Sequence, residues 1–144
     1  TRCSAVSRSP SPELCDGLDN DCDGTLDNHA MPAGPLELAV TEDNHGTHLA
    51  WGPMGNATSY DAVKGDLLTL KRSRGNFTSA TTQCLVNNGL AMPILDTGSI
   101  IPGSGAWFLV RGVNACGEGS YDSGGTGQVG GRDAEIRASS LSCP

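Results

Sequence analysis

Near its N-terminus the chain carries an acidic segment flanked by cysteine, CDGLDNDCDGTLD at residues 15–27, with five aspartates and two cysteines in thirteen residues. So many like charges in so short a stretch repel one another, and almost no apolar side chain is available to be buried in return. We therefore expect this stretch to fold as a loop around a cation rather than as a helix or a strand.

The spacing of the aspartates is that of a calcium loop. Counted from Asp19, carboxylates fall at positions 1, 3, 5 and 9, Gly24 falls at position 6 and the Thr25 carbonyl at position 7. Glycine permits the sharp turn, and hard carboxylate oxygens suit Ca²⁺ better than copper or zinc. Position 12 is Ala30, where an EF-hand supplies glutamate, so we expect no EF-hand pair. The predicted ligands are Asp16, Asp19, Asp21, Asp23, Thr25 and Asp27.

The cysteines indicate an oxidising compartment. Six of them in a small chain with two Asn-x-Ser/Thr sequons, at Asn56 and Asn76, are typical of a secreted, extracellular glycoprotein. Zinc explains the cysteines less well than disulfides do, because no two cysteine pairs stand at zinc-ligand spacing and the histidines belong to no cysteine motif. We therefore predict disulfides and expect both sequons to be exposed.

The disulfide pairing is only partly constrained by the sequence, since six cysteines allow fifteen pairings. A bridge between Cys15 and Cys22 would close the acidic loop, and we predict this pair. The other four cysteines, Cys3, Cys84, Cys116 and Cys143, can pair in three ways. We favour a Cys116–Cys143 bridge, because it would fix the glycine-rich C-terminal tail, and the other two pairings remain open.

Composition favours a turn-rich β protein. The 144 residues are 37% hydrophobic but only 4% aromatic, and they include 20 Gly and 8 Pro. The net charge of −7 and only nine Lys and Arg argue against a nucleic-acid partner. No apolar run approaches the roughly 20 residues that cross a bilayer, and no Met or apolar leader stands at the start, so we expect a processed soluble fragment with no membrane span.

Pro and Gly residues, which interrupt helices and strands, divide the chain into three parts. We predict an extended Ser/Pro-rich arm at residues 1–13, a calcium-binding loop segment at 14–31 and a β-sandwich with a C-terminal extension at 32–144. Alternating apolar residues predict strands, and capping residues predict helical turns. The strands fall at residues 36–40, 47–51, 59–65 and 106–113, and the helical turns at 76–85 and 133–139.

The acidic segment resembles the metal-binding repeat of bacterial surface proteins of the MopE type and, more distantly, thrombospondin type 3 repeats. The resemblance covers about a tenth of the chain, and Asn28 stands where the family frequently has an acidic residue. It implies a metal-binding segment of a secreted protein. Copper, which is sometimes named for the family, does not suit a loop without His or Met, so we expect calcium.

Two further segments resemble parts of a fibronectin type III domain. Residues 48–66, HLAWGPMGNATSYDAVKGD, resemble strands B and C, and residues 106–123, AWFLVRGVNACGEGSYDS, resemble strand F and the turn into strand G. The resemblance implies an immunoglobulin-like β-sandwich and no catalytic residue. The insert at 67–105 and the tail after 123 depart from the family, which indicates a decorated variant. The core positions that the resemblance implies are Trp51, Tyr60, Phe108 and Val110.

Two classes of function remain. The chain has no Gly-x-Ser-x-Gly elbow and nothing that fixes a nucleophile beside a base, so we expect no enzyme. We expect a calcium-stabilised structural module at the cell surface, a subunit or repeat of a filament. The alternative is a carbohydrate-binding or adhesive accessory domain, but Trp51 and Trp107 are better explained as core anchors than as a sugar platform.

The arm suggests how such a module could assemble. Residues 1–13 have too few apolar side chains to fold alone, and their prolines favour an extended form that loses little entropy on docking. Together with a rigid calcium loop, the arm predicts head-to-tail association of identical copies. A flexible linker between neighbouring modules of a longer chain has the same Ser/Pro composition and remains the alternative.

Overall fold

The computed structural model describes residues 13–28, 31–32, 36–90, 93–98, 103–126, 128 and 130–144. Within these residues the chain forms seven strands and three short helices. In chain order they are β1 (Leu38–Asp43), β2 (Gly46–Trp51), β3 (Ser59–Asp66), α1 (Leu67–Arg72), α2 (Phe77–Ala80), β4 (Thr81–Gly89), β5 (Ile94–Asp96), β6 (Ala106–Asn114), β7 (Gly117–Glu118) and α3 (Arg132–Arg137).

The strands form two antiparallel sheets. One sheet has three strands in the order β1-β2-β5, and the other has four in the order β4-β3-β6-β7. The fold is therefore mainly β with few helices, as predicted, and it is consistent with a β-sandwich. Among the described residues, no helix has the length and apolarity needed to cross a bilayer. The predicted arm, apart from Glu13, lies outside the described residues.

The core between the sheets is built from alternate residues of the strands. In β2, Leu49 and Trp51 are buried while the side chain between them is partly exposed, because successive strand residues point to opposite faces. Trp51 packs edge-to-face on Tyr60 of β3, with ring centroids 5.6 Å apart. Val110 is also buried and Phe108 packs partly buried against this cluster, so the four predicted core positions are confirmed.

A second apolar cluster includes the C-terminal extension. Ile136 of α3 packs with Val63 and Tyr121, and Cys143 completes the cluster through a disulfide to Cys84 of β4. Burial raises the pKa of Tyr121, so its hydroxyl stays neutral. The predicted Cys116–Cys143 bridge is wrong. The tail is fixed to the four-stranded sheet by a cysteine 59 residues earlier.

The insert at residues 67–105 holds three elements that were not predicted from the sequence, which are α1, β4 and β5. Asp66 ends β3 and caps α1, with its carboxylate accepting the Thr69 N–H at 2.6 Å. Asn76 caps α2, but the helical turn predicted for residues 76–85 stops at Ala80, and residues 81–89 continue as β4. Pairing with β3 thus overrides the helical pattern predicted for residues 81–85.

Buried ion pairs join the strands. Arg111 of β6 donates to Asp61 of β3 from Nε at 3.0 Å and from Nη2 at 2.8 Å, and its Nη1 lies 2.6 Å from Glu118 of β7. Lys64 of β3 forms an ion pair with Asp96 of β5, which links the two sheets. Each pair satisfies charges that would otherwise be buried alone.

We predict that Asp61→Ala destabilises the fold by about 3 kcal/mol or more, because it leaves the buried Arg111 with Glu118 as its remaining carboxylate partner. Denaturant unfolding followed by tryptophan fluorescence measures the change. Glu42→Ala, which removes an exposed carboxylate of β1, is the matched control and should stay within about 0.5 kcal/mol of the unmodified chain. Equal stability of the two variants would contradict the role of this pair.

Candidate metal site

Three carboxylates converge at the base of the acidic loop. Oxygen atoms of Glu13, Asp19 and Asp21 all lie within 4.8 Å of one another. Glu13 is buried, with 4% of its surface exposed, and the Oδ1 atom of Asp19 is buried as well. Two of the six predicted ligands are thus brought together, and they are joined by a glutamate that was not predicted.

The loop curls through hydrogen bonds between its aspartates and its own backbone. Gly24 N–H donates to Asp19 Oδ2 at 3.1 Å, which closes the turn between loop positions 1 and 6. Asp21 Oδ1 accepts the Asp23 N–H at 3.1 Å, and Asp23 Oδ1 accepts the Thr25 N–H at 2.8 Å. These short-range bonds are Asx turns, which explains why aspartate recurs at alternate positions. Gly24 has φ +94°, a conformation that favours glycine.

The other predicted carboxylate ligands lie outside that grouping in the described part of the chain. Asp16 Oδ1 accepts from the Asn20 side chain at 3.1 Å, and Asp27 Oδ1 accepts the Asp16 N–H at 3.2 Å. Asp23 Oδ2 accepts from the Asn28 side chain at 2.5 Å. These three aspartates therefore shape the loop in this structure, and their role as metal ligands stays a prediction, as does that of the Thr25 carbonyl.

Glu13 organises the loop from outside the Asp-rich run. Its Oε1 accepts the Asp21 N–H at 2.7 Å, and its Oε2 accepts the Asp27 N–H at 2.9 Å, so one carboxylate spans both halves of the loop. The sequence places it at the end of the Ser/Pro-rich arm, with no spacing that relates it to the aspartates. The one indication of its role in the sequence is that position 12 of the loop is not a glutamate, so that a carboxylate ligand would have to come from elsewhere in the chain.

The loop is fixed covalently to the sandwich. Cys15 pairs with Cys116 in the β6–β7 turn, across 101 residues of sequence and with the Cα atoms 5.4 Å apart. The predicted Cys15–Cys22 bridge is therefore wrong, although Cys22 is also disulfide-bonded. The prediction assumed that a disulfide is needed to close the loop, but the Asx turns and Glu13 already close it. The Cys15–Cys116 bridge instead anchors the loop to the sheet.

The far end of the loop segment is held by close packing. Pro32 is buried, and a Cβ built on Gly112 of β6 would lie 2.8 Å from Pro32 Cβ and 2.8 Å from Ala57 Cβ. A larger residue at position 112 therefore cannot fit unless the segment moves. Together with the Cys15–Cys116 bridge, this contact holds the loop segment at both ends.

The donor set fits a hard divalent cation. All three converging groups are carboxylates, and the described loop, residues 13–28, contains no Lys, Arg or His. Ionised carboxylates this close together repel one another. A cation between them would relieve that repulsion, and oxygen ligands select Ca²⁺ or Mg²⁺ over copper and zinc.

The histidine-containing segment at residues 42–48 forms the β1–β2 hairpin. The backbone N–H of His45 donates to Asp43 Oδ1 at 2.8 Å, and this bond lowers the pKa of Asp43. Asp43 Oδ2 also lies 3.1 Å from His48 Nε2 and 3.5 Å from His45 Nδ1. The hydrogen bond from His45 to Asp43 accounts for the aspartate in this turn. Among the described residues, the group of side chains that could hold a metal ion is the one in the acidic loop.

The remaining predicted sites are surface positions or core residues. Asn56 and Asn76 are exposed, as the glycosylation prediction requires, and their modification stays a prediction. Trp51 is buried between the sheets, and Trp107 packs on Phe77 with ring centroids 5.1 Å apart. Both tryptophans are thus anchors of the apolar clusters.

We predict that Gly112→Ala displaces the Pro32 contact, because the added methyl group would overlap Pro32 and Ala57, and lowers stability by about 1 to 3 kcal/mol. Limited proteolysis should then cut residues 13–32 faster than in the unmodified chain. Gly52→Ala is the control, since a Cβ there meets no atom within 4 Å. Equal cleavage rates for the two variants would show that this contact does not hold the loop.

Comparison with models of protein families found no match to the chain. No curated protein and no solved structure matched it significantly either. Any functional conclusion therefore depends on the geometry of the loop and its attachment to the sheets.

Proposed function

We propose that the chain is a non-enzymatic, extracellular structural module whose acidic loop binds Ca²⁺ and which joins identical copies head to tail in a surface filament. The observation that carries the proposal is the convergence of Glu13, Asp19 and Asp21 in a loop that a disulfide attaches to the sandwich. A cation held there would stiffen the segment from which the N-terminal arm emerges, and that segment would set the angle between copies.

Strand order supports a fibronectin type III-like sandwich. In immunoglobulin-type sandwiches, strand B lies in one sheet and strands C, F and G lie in the other. The segment that resembles B and C contains β2 and β3, and the segment that resembles F and the turn into G contains β6 and β7. Of these, β2 belongs to the three-stranded sheet, and β3, β6 and β7 lie in that order in the other. β4 lies outside β3, as strand C′ lies beside C in variable domains.

Three groups would hold the ion. Glu13, Asp19 and Asp21 supply carboxylate oxygens, and backbone carbonyls or water would complete the six to eight ligands that Ca²⁺ takes. Bound calcium would neutralise charge that otherwise opens the loop. The chain's own contribution is to preorganise the carboxylates through Asx turns and the Glu13 bridge.

An extracellular location is supported by the disulfides Cys15–Cys116 and Cys84–Cys143, since such bonds persist in oxidising compartments. The first joins the loop to the β6–β7 turn and the second joins the tail to β4, so the two bonds stabilise different parts of the fold. Exposed sequons at Asn56 and Asn76 are consistent with the same location.

A carbohydrate-binding or adhesive role is the second candidate, and one feature favours it. A groove of about 560 Å³ lies beside β6, lined by Leu36, Leu38 and Phe108 and also by Asp122 and Arg132. Apolar walls with a few charged groups are typical of ligand sites. Its aromatic lining residues, Phe108 and Tyr121, belong to the packed clusters of the fold, which argues against an exposed sugar platform.

We predict that chelation of calcium lowers the melting temperature of the chain, because the repulsion between the converging carboxylates is then no longer offset by the ion. Differential scanning calorimetry in calcium and in EGTA measures the shift. Asp21→Asn and Glu13→Gln should each reproduce most of the chelator effect while calcium is present. Glu37→Gln, an exposed carboxylate outside the loop, is the matched control and should keep the full response to calcium.

An unchanged melting temperature with EGTA would contradict calcium binding at this loop. A response to calcium that survives in Asp21→Asn would place the ion elsewhere. Self-association is tested separately by sedimentation with and without residues 1–12. If removal of the arm leaves the oligomer size unchanged, the arm does not carry the assembly.

A further inference from the structure

Within the described residues, exposed positive charge is concentrated in one turn. Of the nine Lys and Arg, three lie at positions 71, 72 and 74, at the end of α1 and just after it. All three side chains are exposed, and none forms an ion pair with another described residue. We call Lys71, Arg72 and Arg74 the basic turn.

The other described cations are engaged elsewhere. Lys64 and Arg111 are paired with carboxylates inside the fold. Arg132 donates to the Tyr121 carbonyl at 3.2 Å, and Arg137 lies 3.4 Å from Glu118. The basic turn is therefore the one cluster of exposed cations in the described ranges. It holds more positive charges than are needed to stabilise the C-terminal end of the α1 dipole.

The basic turn and the acidic loop lie at opposite ends of β3. Residues of the loop segment, Glu13 and Cys15, line a cavity with Thr58, which immediately precedes β3. α1 begins directly after Asp66, the last residue of that strand. Eight strand residues span about 23 Å, so the two charged surfaces are separated by roughly the length of the sandwich.

We infer that the basic turn of one copy receives the acidic loop of the next copy. The loop carries six carboxylates and no Lys or Arg between residues 13 and 27, so its own side chains are all acidic or neutral. Opposite charge at opposite ends makes one end of a copy complementary to the other end of the next copy. This inference rests on the proposed self-assembly and identifies the surface that receives the loop.

Apolar side chains on the two surfaces add to the match. Leu67, next to the basic turn in α1, is 49% exposed, and Leu18 and Leu26 on the loop are 59% and 48% exposed. Exposed leucines beside charged groups are typical of the centre of a contact with a charged rim. Because the two surfaces differ and lie at opposite ends, the contact is heterologous, so repeated contacts either close a ring or extend a filament.

The test uses the intact chain with calcium present and exploits its lysine content. Lys71 and Lys64 are the lysines of the chain, and Lys64 is occupied by Asp96 inside the fold. A mixture of ¹⁴N- and ¹⁵N-labelled protein is treated with a carbodiimide, which joins an amine to a carboxylate in direct contact. Mass spectrometry should find mixed-isotope peptides that link Lys71 to an acidic residue within 13–27.

A charge-reversal variant gives an independent result. Lys71→Glu, Arg72→Glu and Arg74→Glu together should raise the concentration needed for assembly by about tenfold or more and leave the calcium-dependent melting unchanged. The neutral Gln triple variant should show a smaller rise. Assembly of the unmodified chain should also weaken as salt is increased, because exposed charges are screened beyond about 8 Å at physiological ionic strength.

The outcomes separate this inference from the proposed function. If the unmodified chain assembles but Lys71 links to no residue within 13–27, or if the Glu variant assembles normally, the inference is overturned while self-assembly stands. Lys71 links found only within one isotope class would place the contact inside a single copy and would also overturn it. A chain that stays monomeric with calcium at all concentrations overturns both.

Discussion

The Cys15–Cys116 disulfide is the constraint on which the rest of the arrangement depends. The acidic loop has few apolar contacts of its own, and Leu14, Leu18 and Leu26 remain exposed. Without a covalent link, a highly charged segment of this kind would gain little from packing against the sheets. The bridge converts it into a fixed end of the sandwich, and every role proposed for the loop requires that fixed position.

Charge then explains how the loop is organised. Its aspartates fold it through local Asx turns, and Glu13 connects the two halves by accepting backbone N–H groups from each. The same geometry brings Glu13, Asp19 and Asp21 together, and a cation shared by these carboxylates would offset their mutual repulsion. Under the proposed function, loop folding and metal binding are coupled. In the proposed assembly, the basic turn at the other end of β3 would contact the acidic loop of a neighbouring copy.

The sequence predicted what local patterns determine and missed what depends on distant contacts. Alternation located β2, β3 and β6, and Trp51 and Tyr60 were identified as core residues because their strands resemble known ones. The first part of β4, residues 81–85, was predicted to belong to a helical turn, because its pairing with β3 is not visible in a local window. The disulfide partners and the role of Glu13 were missed for the same reason, since each joins residues whose proximity only the fold creates.

The central claim is that the loop holds one calcium ion in a site built on Glu13, Asp19 and Asp21. Native mass spectrometry of the intact chain tests this claim most directly. The account predicts a mass increase equal to one calcium per chain in micromolar to millimolar calcium. It also predicts that this increase is lost when Glu13 is replaced by Gln. A chain that retains no calcium, or one that retains it equally without the Glu13 carboxylate, would contradict the account.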